Sequence, residues 1–368
     1  MKNSELYHLA FQCLLNETGF DEVFKNKIIS NEEDFLRFIQ VSSNHLILPA
    51  IVRRLKNKGF SEYLPAELAE HLNELLQINI ERNNEILQQI EEISRHLGDA
   101  GIKPVFMKGT AHLLDNLYVD IADRMIGDID FLVKEKDYFK AAELIKQLGY
   151  KQSDVNYFDE LNTLKHYPRL FRHDVPADIE IHRSPVENRF TSKFNSDNIF
   201  DKKVTIPTIQ NCFVTCDEHK LIHTFIHSQL SHKGHSYRIA SLRDLYDFYR
   251  ISERIDFNYV LPEIKEKKKV KSFFSLLQYM FKSEISSDSL QYQINNKYVR
   301  QINWFLNHPK QHRLYINFVK AIDIFIERPF LKIKNALLNK SSRLSLIKRL
   351  ENPDWYKSTY KGIRSFFK

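Results

Sequence analysis

Cysteine is scarce in this chain of 368 residues, which has three: Cys13, Cys212 and Cys216. Three irregularly spaced thiols cannot form a disulfide framework, and a Cys-x3-Cys pair without further ligands makes a poor zinc site. This usage indicates a reducing compartment, so we expect the protein to be cytoplasmic. Glycine and proline are also few, at nine and eleven residues, which excludes a collagen-like or low-complexity chain.

Long hydrophobic runs are missing as well. The best short run covers residues 46–52, far below the roughly 20 apolar residues that a membrane-spanning helix needs. Residues 1–7 meet an acid soon after their single lysine and include no apolar segment, so no secretory signal is predicted. The sequence therefore predicts a soluble protein without a transmembrane span.

Positive charge is unevenly distributed along the chain, although the formal net charge is +7. Residues 261–368 carry 22 lysines and arginines against 8 acids, whereas residues 1–260 carry 32 basic and 39 acidic residues. If the protein has a docking surface for RNA or for an anionic membrane, the charge places it in 261–368, although charge runs usually face water. There Phe330 and Ile333 interleave with Lys332, a pattern that also fits a packed helical region with solvated lysines.

Hydrophobic periodicity predicts an α+β core between helical regions. The predicted elements are a helix over 65–97, a strand over 102–107, a helix over 111–118, a strand over 126–133, a helix over 136–148, and two strands over 166–172 and 177–183. They suggest four regions: an N-terminal helical region (1–100), the core (101–185), a helical region that completes a cleft (186–260), and a basic, mostly helical C-terminal region (261–368).

The strongest local signal is Gly127-Asp128-Ile129-Asp130, in which two acids interrupt an apolar strand. Side chains at positions i and i+2 of a strand share one face. Two carboxylates on one face near a core repel each other and lose hydration, which is costly unless a cation lies between them. A surface strand with an acidic face toward solvent is the alternative interpretation of this spacing.

Two further features favour a functional site. Lys108-Gly109-Thr110 lies at a predicted strand-to-helix junction, where backbone N–H groups, a hydroxyl and an ammonium can face a phosphate. A later strand carries Asp178 and Glu180, either of which could add a third carboxylate. Three carboxylates beside a phosphate-binding turn suit two divalent cations, Mg²⁺ or Mn²⁺, that hold a nucleoside triphosphate (NTP).

These residues resemble the nucleotidyltransferase superfamily of the polymerase-β type, with its Gly-Ser turn, a strand bearing Asp-x-Asp and a later strand bearing one more acid. More narrowly, the Lys108-Gly109 turn, Arg124 ahead of Gly-Asp-x-Asp, and Glu180 two residues before His182 are similar to the bacterial family called uncharacterised nucleotidyltransferases. The resemblance is specific over residues 101–183. It is looser to about residue 250, where four positions resemble that family's helical region: His223, His227, Arg243 and Asp244.

The resemblance implies a polymerase-β-like nucleotidyltransferase core, a small mixed sheet with helices. It also implies metal-dependent transfer of a nucleoside monophosphate from an NTP to an unidentified acceptor. Asp128, Asp130 and Glu180 would be the catalytic acids and hold the metal ions, although Asp178 stays open as the third acid because the family more often has Asp where Glu180 stands. The expected nucleotide-binding residues are Lys108, Gly109, Thr110 and Arg124.

Other interpretations stay open. The acceptor could be tRNA or another RNA, or the protein could bind nucleotides without catalysis and act as an interaction protein. His219, His223 and His227 lie at i, i+4 and i+8, and such a helical pair could bind zinc. The neighbouring glutamate of an His-Glu-x-x-His metalloprotease is missing, so structural or pocket-lining histidines are favoured. Further pocket residues are expected to be Asp178, His182, His223, His227, Arg243 and Asp244.

Overall fold

The computed structural model describes residues 1–15, 19–153, 165–187, 190, 194–260, 264–281, 296–338, 343–344, 346–347, 350–353 and 357. The chain divides into two compact units, Met1–Ser153 with Lys165–Asn307, and Asp154–Leu164 with His308–Lys368. The division of the sequence into four regions at residues 100, 185 and 260 remains a prediction.

Helices open the first unit. They are α1 (Asn3–Leu15), α2 (Phe20–Val23), α3 (Glu32–Asn44), α4 (Leu48–Asn57) and α5 (Ala66–Asp99), with a π-helical turn at Phe24–Ile29 and a 3-10 turn at Phe60–Tyr63. The helix predicted at 65–97 corresponds to α5, whose Ile86, Ile90, Ile93 and Leu97 are fully buried along one stripe. Gly101 then reverses the chain with a φ of 76°, a conformation that favours glycine, and leads into the sheet.

A mixed sheet of seven described strands forms the centre of the first unit. The strands are β1 (Val105–Phe106), β2 (Asp128–Leu132), β3 (Lys151–Gln152), β4 (Leu170–Phe171), β5 (Asp178–His182), β6 (Val204–Thr205) and β7 (Phe213–Val214), in the spatial order β3-β4-β5-β2-β1-β7-β6. Strands β2 and β5 are parallel neighbours at the centre, and β1 is antiparallel to β2. Helix α6 (Lys108–Leu114) follows β1, and helix α7 (Tyr138–Gln147) follows β2.

Further helices complete both units. The first unit continues with α8 (Ser196–Asp201), α9 (Asp217–Phe225), a π-helical segment (Ile226–Ser231), α10 (Gly234–Tyr237), α11 (Leu242–Ser252), α12 (Phe257–Val260), α13 (Lys267–Phe281) and α14 (Asn296–Asn307). The second unit contains α15 (Pro309–Ile322), a π-helical segment (Asp323–Glu327) and α16 (Arg328–Leu338). None of the helices in the described ranges is both long and apolar enough to cross a bilayer.

Two apolar clusters hold the first unit together. One packs β2 and β5 against α5 and α7, and the other joins the N-terminal helices to α9, α11, α13 and α14. Burial of apolar surface at about 25 cal/mol per Å² is the main force that fixes the sheet between these helices.

The predicted α+β class is confirmed, and several element bounds differ from the prediction. The helix expected at 111–118 begins at Lys108 and ends at Leu114. The strands β3, β6 and β7 were not predicted, because each has two residues and two residues show no alternation. Their pairing depends on backbone hydrogen bonds to neighbouring strands rather than on a local hydrophobic pattern.

Candidate active site

The acids of β2 and β5 meet because the two strands are parallel and in register. Asp128 stands opposite Asp178, and Asp130 stands opposite Glu180. Within each strand the acids are two residues apart and share a face, whereas the intervening Ile129 and Ile179 are fully buried on the other face. The alternation of acid and isoleucine therefore places four carboxylates on one side of the sheet.

Asp130 is the most buried of these acids. Its Oδ1 accepts hydrogen bonds from Lys108 Nζ at 2.6 Å and from His182 Nε2 at 2.8 Å. Lys108 reaches it from the first residue of α6, where a φ of 53° places a non-glycine residue in the left-handed region. Backbone strain of this kind costs of the order of 1–3 kcal/mol and persists where the surroundings enforce it, often at functional sites.

Electrostatics divide the acids into two kinds. Burial raises the pKa of Asp128, and the charge of Asp130 raises it further. Burial would also raise the pKa of Asp130, but Lys108 and His182 outweigh it and keep that pKa below its usual range. Burial acts the same way on Glu180, whose pKa is nevertheless lowered by hydrogen bonds from His182 and Arg169. Asp130 and Glu180 are therefore charged at neutral pH.

Arg169 was not predicted as a site residue. It lies just before β4, and its Nη2 donates to Glu180 Oε1 at 2.8 Å and to Asp128 Oδ2 at 3.0 Å. Its Nη1 lies 3.7 Å from Asp178 Oδ2. One guanidinium thus contacts three of the four carboxylates. No local sequence pattern indicates this contact, because it depends on the antiparallel pairing of β4 with β5.

The predicted phosphate-binding turn occupies the junction between β1 and α6. Gly109 faces the cleft, and an added Cβ there would come within 3.2 Å of Ile126 Cδ1. The hydroxyl of Thr110 is buried and turned inward: it donates to the Asp128 carbonyl oxygen at 3.2 Å and lies 3.4 Å from the Asp130 backbone nitrogen. Thr110 therefore ties the turn to β2.

A cavity of about 560 Å³ opens above the acids. The predicted residues that line it are Lys108, Gly109, Arg124, Asp128, Asp130, Glu180, His223, His227, Arg243 and Asp244. Thr110, Asp178 and His182 do not line it; His182 is fully buried behind Asp130, and Asp178 lies at the start of β5 beside Arg169. The structure thus brings ten of the thirteen predicted residues to one cleft.

Arg124 is held by an aspartate that was also not predicted. Its Nε and Nη2 donate to Asp247 at 3.1 and 3.0 Å, and its Nη1 donates to the Met125 carbonyl. Asp247 also accepts a hydrogen bond from the Tyr118 hydroxyl. The ion pair joins the segment before β2 to helix α11, so it fixes one wall of the cleft against the sheet. A role of Arg124 toward the triphosphate remains a prediction.

The histidines form the wall opposite the acids. His223 is buried, and its Nδ1 makes no hydrogen bond within the described structure. Burial lowers the pKa of His223 and His227, and the positive charge of Lys108 lowers both further, so these imidazoles are neutral. The rings of His227 and His232 lie 4.0 Å apart between centroids.

One group in the described residues could hold a metal ion, and it consists of Asp130, Glu180 and His182. Its donor atoms are two carboxylate oxygens and one imidazole nitrogen within 4.8 Å of one another. Within the described ranges, the helical histidines do not form such a group. Oxygen-rich ligand sets suit hard divalent cations.

Comparison with known protein families gives a match over residues 31–282, to a family described as uncharacterised nucleotidyltransferase. This span covers more than half of the chain and includes β1, β2, β5 and every residue that lines the cleft. None of the curated proteins compared with the chain matches it.

Proposed function

The chain belongs to the uncharacterised nucleotidyltransferase family, and on this premise we propose that it transfers a nucleoside monophosphate from an NTP to a hydroxyl group of an acceptor, releasing pyrophosphate. The observation that carries this proposal is the row of carboxylates on β2 and β5 beside the turn at Lys108. Acids are gathered there with basic groups in one cleft, which is the combination that a bound metal–triphosphate needs.

The residues present fit divalent cations. Asp128, Asp130 and Glu180 supply hard oxygen ligands, and the shared oxygen face of two parallel strands brings them together. Asp128 is the acid whose charge is least compensated, since its pKa is raised by burial and by Asp130. A cation between these acids would relieve that repulsion. We therefore assign Asp128, Asp130 and Glu180 to Mg²⁺ or Mn²⁺, which when bound would withdraw charge from the triphosphate and lower the pKa of the acceptor hydroxyl.

Lys108 and Gly109 would bind the triphosphate. The Lys108 ammonium contacts Asp130, so it can also bind a phosphate oxygen that enters the site beside this acid. Gly109 leaves room for a close approach at the first turn of α6. In the reaction the acceptor oxygen forms a bond to the α-phosphorus while the bond to the pyrophosphate oxygen breaks. The acceptor proton leaves to a carboxylate of the acid row or to water.

The acceptor would lie along the wall formed by α9, the π-helical segment after it and the start of α11. This wall presents neutral imidazoles at His223 and His227 and a charged pair at Arg243 and Asp244, whose Nε and Oδ1 lie 3.5 Å apart. Both charge signs and hydrogen-bonding groups are therefore available to a polar acceptor.

The test is pyrophosphate release from each of the four NTPs with Mg²⁺ or Mn²⁺, in the presence of a host-cell extract and labelled NTP. We expect label to enter an acceptor with the wild-type chain and not with Asp130→Asn. Asp201→Asn, which removes an exposed acid outside the cleft, serves as the matched control. Label in RNA would identify the acceptor as RNA. NTP binding without pyrophosphate under any of these conditions would contradict the proposal and favour a non-catalytic nucleotide-binding role.

A further inference from the structure

The second unit presents a row of large apolar side chains to solvent. Helix α15, the π-helical segment and α16 follow one another without a break from Pro309 to Leu338. Seven large apolar side chains of this run are more than half exposed, the last of which is Leu338. The other six recur along the run, and we call them the exposed apolar stripe: Leu314, Phe318, Ile326, Phe330, Ile333 and Leu337. Isolated exposed apolar residues are normal, but a contiguous series of this size marks an interaction surface.

The π-helical segment keeps the stripe on one side of the helix. Steps of three or four residues join most of its members, but Phe318 and Ile326 are eight residues apart. Eight residues overshoot two ordinary α-helical turns of 3.6 residues. The segment Asp323–Glu327 is wound more loosely, with hydrogen bonds between residues i and i+5, and so takes up the extra residue. The same run also contains two buried residues, Asp323 and Ala336.

Basic side chains are exposed on the same helices as the stripe, among them Lys310, Arg313, Lys320 and Lys334. In the described part of this run Glu327 is the exposed acid, since Asp323 is buried. The run therefore combines exposed apolar side chains with an excess of exposed basic ones, as do helices that lie in the plane of a membrane interface.

We propose that the exposed apolar stripe lies on the surface of an anionic lipid bilayer, with its apolar side chains at the boundary of headgroups and acyl chains and its lysines on the lipid phosphates. A second copy of this chain is disfavoured as the occupant, because the basic side chains of the two copies would repel each other. Residue type favours lipid over RNA, because four of the six stripe residues are leucine or isoleucine, which cannot stack on bases as aromatic platforms do. The proposal is independent of the nucleotidyl transfer reaction.

The test is co-sedimentation of the full-length protein with vesicles of phosphatidylcholine alone or mixed with phosphatidylglycerol. We expect binding to the anionic vesicles that weakens as salt rises. The double variant Lys320→Gln/Lys334→Gln should lower the partition coefficient about 25-fold, at about fivefold for each charge removed. Phe318→Ser/Phe330→Ser should abolish binding. The matched control Ile78→Ser/Val119→Ser removes two comparably exposed apolar residues of the first unit and should bind as the wild type does.

Three results would overturn the proposal. The first is absence of binding to anionic vesicles at low salt by protein with an intact circular dichroism melt. The second is equal loss of binding in the control variant, which would indicate nonspecific adsorption. The third is a dimer in light scattering that Phe318→Ser/Phe330→Ser dissociates, which would assign the stripe to a second copy. Pyrophosphate release, measured on the same samples without vesicles, should be equal in all variants, so failure here is distinguishable from failure of the proposed reaction.

Discussion

Asp130 and Glu180 stand opposite each other on the parallel strands β2 and β5, and one imidazole nitrogen of His182 lies close to both carboxylates. Nε2 of His182 lies 2.8 Å from Asp130 Oδ1 and 3.6 Å from Glu180 Oε2. The two carboxylates are therefore coupled through a buried histidine as well as through their own repulsion. A change at either acid alters the charge that the other one experiences.

Asp128 and Asp130 should respond in opposite ways to neutralisation in the metal-free protein. Asp130→Asn removes the acceptor of the half-buried Lys108 ammonium and should lower the free energy of unfolding by about 3 kcal/mol. Asp128→Asn removes a charge that burial and Asp130 disfavour, and should leave that free energy unchanged or raise it. Urea unfolding with chelator at pH 7 measures both.

Both variants should nevertheless lose about 10³-fold in pyrophosphate release, because each removes an oxygen expected to bind the metal ions. Near-normal turnover by either variant would exclude the corresponding acid from the site. Equal destabilisation by the two variants would contradict the division of the acids by their pKa values.

The third acid is testable by comparing Glu180→Gln with Asp178→Asn. Glu180 faces the cleft beside Asp130, whereas Asp178 lies two residues earlier, at the start of β5, and does not line the cavity. We expect Glu180→Gln to reduce kcat at least about 100-fold and Asp178→Asn to reduce it less than about fivefold. Steady-state kinetics of pyrophosphate release decide the matter, and the reverse order would make Asp178 the third acid.

Arg169 should compete with the metal ions. Its guanidinium contacts Asp128, Asp178 and Glu180, so a cation that enters the site must displace part of this positive charge. We expect Arg169→Gln to tighten Mn²⁺ binding several-fold in electron paramagnetic resonance titrations. Arg183→Gln is the control, because Arg183 pairs with the exposed Glu135 outside the cleft. Weaker Mn²⁺ binding by Arg169→Gln would show that Arg169 organises the acids for the metal instead.

Asp247 should give stability that depends on pH. Burial would raise its pKa, but Arg124 and His112 outweigh burial and lower it well below the ordinary value of 3.8. A carboxyl whose pKa is lowered on folding stabilises the fold above the unfolded-state pKa and loses this effect as the pH falls. We therefore expect Asp247→Asn to lower the free energy of unfolding by about 3 kcal/mol at pH 7 and by progressively less below about pH 4. If the difference in unfolding free energy between the variant and the wild type stayed constant from pH 7 to pH 3, the ion pair with Arg124 would not be the source of this difference.

The sequence by itself predicted the elements that carry the candidate site and the family to which the chain belongs. Local patterns were sufficient for α5, β2, α7 and β5, because their hydrophobic periods extend over enough residues to be distinct. The two acids of β2 were conspicuous because they interrupt an apolar strand, and the resemblance to the nucleotidyltransferase family is confirmed by the family match.

Only the tertiary structure decided which charges meet. Arg169 reaches the acids because β4 pairs with β5, and Asp247 reaches Arg124 because α11 packs beside the segment before β2. Each contact joins residues that are remote in sequence, and a local hydrophobic pattern cannot predict such a contact. The register of β2 and β5 likewise set Glu180, rather than Asp178, opposite Asp130, since a strand's partner is fixed by packing of the whole sheet.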